Sequence, residues 1–289
     1  MVPVAPVSAA TAAAPPRIDL DMYRRDGLIV APVALPGTLL DRMRGSLDRL
    51  LENSADIAPE SLICPHIPNG VRHPASEART WFEYATQPFI LDLVEQVIGP
   101  DIVLWGSQVF CKPARKGREV PWHQDGEYWP IRPLATCSVW IALDDATPEN
   151  GCMRFIPGSH AAGSLYAHHD AARPDRVLGL EIDAQAYDVH TARDDVLMAG
   201  QMSLHDVFLI HGSAANRSER RRAGFVVRYM PATSRYDRSV PDSQTQAGVS
   251  FSLSRRPIWL VRGVDRAGND FVTGHGADFG LVPRHSDDL

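Results

Sequence analysis

The stretch Pro121-Trp122-His123-Gln124-Asp125-Gly126, followed by the apolar run Cys137-Ser138-Val139-Trp140-Ile141-Ala142-Leu143, sets the reading of this chain. Side chains on a β-strand alternate with period two, so an imidazole and a carboxylate two residues apart face the same way. His123 and Asp125 can therefore reach one metal ion. A second imidazole from a distant strand would complete the two-histidine, one-carboxylate triad that leaves iron(II) positions open for oxygen chemistry. His211 is the candidate. The His-x-Asp spacing recurs at His168/Asp170 and His285/Asp287, so spacing alone leaves a metal pair and a satisfied buried pair equally open. Setting separates the three. His168 lies in a stretch without alternation that reads as loop, and His285 falls in the last five residues.

Working outward, short apolar runs divided by turn residues predict strands over 102–112, 120–125, 136–144, 152–156, 196–198, 203–210 and 222–231. Upstream, a short helix over 18–26 ends at Gly27 and leads into a strand over 28–32. Leu39, Leu40, Met43, Leu47, Leu50 and Leu51 recur at three- and four-residue spacing and mark an amphipathic helix over 37–53. A further helix over 87–98 is stopped by Gly99-Pro100. Residues 54–80, rich in Pro, Ser and His, read as irregular, and the polar interval 159–195 as a loop that could cover a site. The fold expected is mostly β with a helical layer (α+β) on a double-sheet, jelly-roll core. One domain over 18–289 follows a disordered leader over 1–17. Its helical front part runs to about 100, its core from about 101 to 231, and an extension covers 232–289.

The bulk numbers narrow the function classes. A net charge of −6 and a pI near 6.0 argue against a nucleic-acid binder. The one dense basic cluster, Arg217-Ser-Glu-Arg-Arg-Arg222, reads as a solvated hairpin tip. The four cysteines, Cys64, Cys111, Cys137 and Cys152, have no paired spacing and suit buried thiols in a reducing compartment, so a cytoplasmic protein is expected. No apolar stretch reaches the length of a membrane span, and the N-terminal segment lacks the basic start of a secretory signal.

The second half of the site is read from residues 200–231. Gly200 to Ile210 reads as a turn and then a strand that delivers His211; residues 212–220 are turn chemistry, and a hairpin brings Arg222 back beside His211. A guanidinium there can clamp a carboxylate bidentately. Arg228 shares the Arg222 face. It either holds a substrate or pairs with a structural acid, and a salt-bridged sheet residue is the plainer reading. His205, six residues before His211, is placed on the same face and is the rival ligand.

His123-x-Asp125, the run Trp140-Ile-Ala-Leu-Asp-Asp145, Glu149-Asn-Gly-Cys152, Ile156-Pro-Gly-Ser-His160 and His211-x-Ser213-x-x-Asn216-x-Ser218 followed by Arg222 form an ordered set over about 100–231. In these motifs the chain resembles the phytanoyl-CoA dioxygenase family of iron(II)- and 2-oxoglutarate-dependent oxygenases. The resemblance implies a double-stranded β-helix and His123, Asp125 and His211 as iron ligands. It implies Arg222, eleven residues after the last ligand, as the anchor of 2-oxoglutarate. Ser213, Lys112 and Trp140 match positions that line the co-substrate pocket, while Gln108 is either a polar contact there or an ordinary buried amide. His160 caps or hydrogen-bonds and does not ligate.

With Fe(II), 2-oxoglutarate and O2, the implied reaction hydroxylates a C–H bond and releases succinate and carbon dioxide. Desaturation or ring closure would use the same oxidant. Halogenating relatives carry a small residue where Asp125 stands, which argues against halogenation. A non-redox cupin-like metalloenzyme is opposed by Arg222, and a silent binding protein by the complete triad. The substrate expected is a small metabolite or natural-product intermediate, with Tyr128, Trp129 and Arg228 as candidate contacts. Trp81, Phe82 and Tyr84 offer an aromatic wall or plain packing. Arg72, Arg79, Arg115, Lys116 and Arg118 offer a basic rim or solvated charges.

Overall fold

The computed structural model describes residues 15–67, 75–240 and 253–271. Residues 1–14 of the expected leader, Arg72, His285, the Tyr128 side chain and much of the 232–289 extension lie outside the described residues. Among the described residues four α-helices come mainly first: α1 (Leu20–Asp26), α2 (Gly37–Asn53), α3 (Ala75–Ala85) and α4 (Pro88–Ile98). The early strands are β1 (Leu28–Val30) and β2 (Leu62–Ile63), then β3 (Ile102–Lys112), β4 (Val120–His123), β5 (Ile131–Arg132), β6 (Cys137–Ala142) and β7 (Met153–Phe155). The later ones are β8 (His168–Asp170), β9 (Leu180–Ile182), β10 (Arg193–Asp195), β11 (Met202–Asp206), β12 (His211–Ser213), β13 (Arg222–Pro231), β14 (Arg235–Tyr236) and β15 (Trp259–Arg262).

Two antiparallel sheets carry the site. The larger has the order β1-β11-β6-β13-β3-β15, with β2 on β3; the smaller has the order β10-β7-β12-β4. Period-two alternation gives the larger sheet two different faces. Val109, Val139, Ile141, Leu204, Phe225 and Val227 point to the helical side, where they join Met43, Leu47 and Leu50 of α2, Trp81 of α3 and Leu93 of α4 in one core. The Trp81 and Phe225 rings lie 4.8 Å apart. Phe225 is fully buried, and its truncation to alanine costs about 3–5 kcal/mol by the usual price of an aromatic cavity. The other face of the same strands carries Arg222, Gly224, Val226 and Arg228 of β13, cross-strand from Lys112, Phe110, Gln108 and Gly106 of β3.

Helix starts and stops follow local chemistry. The Asp19 carboxylate accepts from the Met22 amide at the start of α1, and Gly27, with φ 80, closes it by donating to the Tyr23 carbonyl. Pro88 opens α4.

Several boundaries differ from the sequence expectation. Residues 75–85, inside or beside the segment expected to be irregular, form α3, whose Ala78, Trp81, Phe82 and Ala85 recur at helical spacing. Trp81, Phe82 and Tyr84 are therefore core packing on the helical side, and not a wall of the site. The strand expected at 196–198 lies instead at β10, and Leu197 makes an isolated bridge to Ala146. His168 belongs to a short strand paired with β9, where a loop was expected. The expected run 203–210 stops at Asp206, whose carboxylate accepts from the Phe208 amide and turns the chain toward the smaller sheet.

Candidate metal and co-substrate site

The two long-range partners meet. His123 of β4 and His211 of β12 are directly opposite residues of the smaller sheet, with ring centroids 4.2 Å apart. The β4 ladder ends at His123, but Gln124 keeps an extended backbone (φ −114, ψ 131), so Asp125 still faces the His123 side. Gln124 points the other way and is fixed there: its amide nitrogen donates to the Ser164 and Phe208 carbonyls, and its oxygen accepts from the Tyr166 amide. One ligand atom each from His123, Asp125 and His211 all lie within 4.8 Å of one another, and all three residues are buried.

Protonation suits a divalent cation. The His123 and His211 Nδ1 atoms each hydrogen-bond a backbone carbonyl, of Pro121 at 2.8 Å and of Leu209 at 2.9 Å. Nδ1–H donation to a carbonyl leaves the Nε2 lone pair for a metal. Burial, with His123 nearby, pushes the His211 pKa down to about 3, which keeps its ring neutral. Burial pushes the Asp125 carboxyl up, but contacts with His123 and His205 and the charge of Arg228 outweigh it and hold the group well below the usual carboxylate range. A neutral His211, a His123 whose Nδ1 is taken by a carbonyl, and a carboxylate form the donor set that an open-sided iron(II) site needs, so the residues present fit the group.

His205 belongs to the opposite wall. It lies on β11 of the larger sheet, and its Nε2 is 3.6 Å from Asp125 Oδ2. His205 and His211 thus approach from facing sheets, because the chain crosses between them at 206–210; they do not share one strand. The same crossing corrects the expected hairpin. β12 and β13 lie in different sheets, and Arg222 faces His211 across a cleft. Asn216 organises the intervening turn, its side-chain nitrogen donating to the carbonyls of Lys112, Pro113 and Arg220.

The cleft encloses ≈ 570 Å³, including its open mouth, and its walls include His123, Asp125, His205, His211, Ser213, Arg222 and Arg228. Phe110, Val120, Met153 and Leu178 line it too and were not singled out from the sequence, whereas Val226 lines it on the Arg222 face, where period two puts it. Only period two on β3 could have flagged Phe110. Leu178 comes from the interval expected to cover the site.

Arg222 is 3 % exposed. Its Nε and Nη2 donate to the Gly151 carbonyl at 3.1 and 2.6 Å, and its guanidinium carbon stands 5.4 Å from the Trp140 ring centre. Gly151 is left-handed (φ 76), which aims that carbonyl at the guanidinium. Burial pushes the Arg222 pKa down to about 10, so it stays cationic at neutral pH. Among the described residues no carboxylate pairs with it.

Ser213 lies 3.5 Å from Arg222 Nη2 and accepts from Lys112 Nζ at 2.7 Å. Lys112 also donates to the Ser213 and Ala214 carbonyls. Its three donors are spent, and its ammonium stands behind Ser213, off the cleft wall. Trp140 does line the cleft, flat against Gly224; Gln108 and Trp129 do not reach it. Gln108 donates to the Glu60 carbonyl and faces Arg228. His160 hydrogen-bonds the Arg24 carbonyl, as expected of a non-ligand. The basic rim is neutralised in part: Arg79 pairs with Glu83, Arg115 with Glu219 and Arg118 with Glu60.

The phytanoyl-CoA dioxygenase (PhyH) family model matches residues 23–224. The chain belongs to the phytanoyl-CoA dioxygenase family. Its class is that of the iron(II)- and 2-oxoglutarate-dependent dioxygenases. The human peroxisomal phytanoyl-CoA dioxygenase is 25% identical over 274 residues, covering 83% of this chain and 79% of that protein. L-proline trans-4-hydroxylase of Streptomyces griseoviridis is 29% identical over 163 residues, covering 50% and 61%. The chain spans about half the length of the worm, mouse and rat members it matches. The solved apo structure of the non-heme monooxygenase ThoJ superposes with a TM-score of 0.66 at 25% identity, covering 90% of this chain and 92% of that one. Among the described residues no helix is long and apolar enough to cross a membrane.

Proposed function

We propose that His123, Asp125 and His211 hold iron(II) and that Arg222 clamps the distal carboxylate of 2-oxoglutarate. The chain then hydroxylates an unactivated C–H bond of a small metabolite or natural-product intermediate, with release of succinate and carbon dioxide. One observation carries the reading: three ligand atoms within 4.8 Å of one another face a buried guanidinium that lacks a described carboxylate partner.

When bound, iron(II) and 2-oxoglutarate supply the dioxygen-activating chemistry. The chain's own residues do the rest. The Pro121 and Leu209 carbonyls fix the two imidazole tautomers and ring planes. Arg222 offers a planar fork for a carboxylate, braced by Trp140 and the Gly151 carbonyl. Because Ser213 Oγ accepts from Lys112, its own hydrogen is free to donate to that carboxylate. Phe110, Met153, Leu178 and Val226 keep the walls apolar and exclude water from the reacting bond.

The reading includes a double-stranded β-helix core within one domain from residue 18 onward. In support, successive strands alternate between the sheets, β6 to β7 and β11 to β12 to β13. It also includes a cytoplasmic address, in keeping with four buried free thiols.

The test is an anaerobic titration of iron-loaded protein with 2-oxoglutarate, which should produce a weak visible charge-transfer band. His123→Ala should lose the band, bound iron and turnover together; iron and turnover retained in that variant would remove His123 from the ligand set. With iron bound, no succinate across a broad substrate panel would sink the hydroxylase reading. A product lacking two hydrogens instead of gaining an oxygen would move it to desaturation or ring closure.

A further inference from the structure

The cleft holds a second arginine that the iron and co-substrate do not use. Arg222 and Arg228 lie on one face of β13, six residues apart, which at about 3.3 Å per residue separates their Cα atoms by ~20 Å. One five-carbon diacid chelated at the metal cannot reach both. Arg222 stands at the Ser213 end of the cleft. Arg228 stands at the Asp125 end, where its charge helps to hold the Asp125 carboxyl ionised.

Arg228 departs from the salt-bridged sheet residue that the sequence suggests. Among the described residues no carboxylate pairs with it. Its two terminal nitrogens reach only the Gln108 side-chain oxygen, both at 3.4 Å, long for a charge-assisted bond. Its Nε is buried with no acceptor. The carboxylate whose charge it feels is Asp125, which belongs to the metal ligands. Trp129 fixes the fork from one side, with the guanidinium carbon 5.3 Å from the ring centre.

The neighbours of Arg228 repeat the pattern. His205, Ser138, Arg228 and Gly106 are cross-strand partners in one row over β11, β6, β13 and β3. His205 Nδ1 and Ser138 Oγ are also buried without partners. Three unmet polar atoms in one row on the cleft side of a sheet are costly unless a ligand meets them. Gly106 ends the row with no side chain, and the Arg256 guanidinium lies over it, with Nη1 3.5 Å from where a Cβ would stand, so a second cation borders the Arg228 fork.

We infer that this row is the substrate's anchoring site and that the substrate carries a carboxylate, held in the fork of Arg228. Planar bidentate pairing favours a carboxylate over a neutral amide of the same shape. The inference rests on the proposed function, since it assigns Arg222 to 2-oxoglutarate and leaves Arg228 for the second molecule.

The experiment uses iron(II)-loaded protein without oxygen and with saturating 2-oxoglutarate, so that Arg222 is occupied. Aliphatic, aromatic and amino-acid carboxylates, each paired with its primary amide, are titrated by calorimetry and by tryptophan fluorescence, to which Trp129 beside the fork and Trp140 in the cleft both contribute. At least one acid should bind about 10- to 100-fold more tightly than its amide, the range expected of a lost charge-assisted pair. Arg228→Gln should level the two while leaving 2-oxoglutarate affinity within a few-fold. If that variant fails to fold, Arg228→Lys keeps the charge and loses the fork. Acid binding weakened with amide binding unmoved then supports the site, and both unmoved overturns it. Equal binding of acids and amides across the panel, with 2-oxoglutarate bound normally, overturns the carboxylate site and leaves the proposed function standing. Loss of 2-oxoglutarate binding in Arg228→Gln reassigns the residue and overturns the site. Failure of wild-type protein to bind 2-oxoglutarate overturns both readings.

Discussion

Asp195 allows a prediction whose sign and size follow from burial. Its carboxyl lies between the sheets, 3 % exposed. Ser203 donates to Oδ2 at 2.7 Å, while Oδ1 is buried without a partner. Burial pushes the pKa up to about 6 from an ordinary 3.8, against the smaller opposing pull of Ser203, His205 and Arg222. A carboxyl whose folded value is raised gives stability that is fully present below the unfolded pKa and is lost as pH rises through the folded one. Over the whole interval the loss is about 3 kcal/mol at 1.36 kcal/mol per unit. Roughly 1.4 kcal/mol of it falls between pH 5 and pH 8. Asp195→Asn cannot ionise and escapes this loss. Whatever the amide costs in packing is the same at both pH values and cancels from the comparison. Urea unfolding of both proteins at pH 5, 6, 7 and 8 should therefore show the variant gaining on wild type by about 1.4 kcal/mol, most of it before pH 7. A flat difference, or one that shrinks with pH, would refute the argument that burial dominates this group.

Other outcomes follow from the same packing. A Cβ on Gly224 would stand 2.2 Å from the Trp140 ring, so Gly224→Ala must tilt the indole into the cleft; we expect a loss of about 1–3 kcal/mol in urea unfolding and a KM for 2-oxoglutarate raised at least several-fold. Arg222→Gln removes the cation opposite the metal ligands and should raise that KM about 10- to 100-fold while bound iron, measured by elemental analysis, stays unchanged; an unaltered KM would reassign the anchor. Burial pushes the Cys111 and Cys152 thiols up to about 12, so neither should react with iodoacetamide at pH 8 in folded protein, whereas denaturant should release both.

What the sequence made legible depends on how locally each feature is encoded. The pair His123 and Asp125 is local, since period two needs only an extended Gln124, and the backbone is still extended there although the ladder has ended. Lys112, named from the family resemblance as a pocket position, does stand cross-strand from Arg222, but a residue's place on a strand says nothing about where a four-carbon stem ends. Its ammonium ends on Ser213 and Ala214, behind the cleft wall. Helix α3 was hidden because proline and serine upstream outweigh the apolar spacing of Ala78, Trp81, Phe82 and Ala85. The crossing at 206–210 was missed because an apolar run buried throughout looks like one strand. Its only local sign is Asp206, whose carboxylate takes the Phe208 amide and breaks the ladder.

Arg228 marks the limit of such reasoning. An arginine on a sheet face reads as half of an ion pair, because most buried charges are paired. Whether an acid stands opposite is a property of four strands drawn from three parts of the chain, and here the opposing positions are Ser138 and Gly106. A guanidinium left with one long-range amide acceptor and an indole is a poor structural element. Its desolvation is offset only if an anion arrives, and that cost is present in every molecule without substrate. A site that gives up stability in this way is explained by what it binds, which makes the unpaired charge a stronger pointer to function than the cleft that contains it.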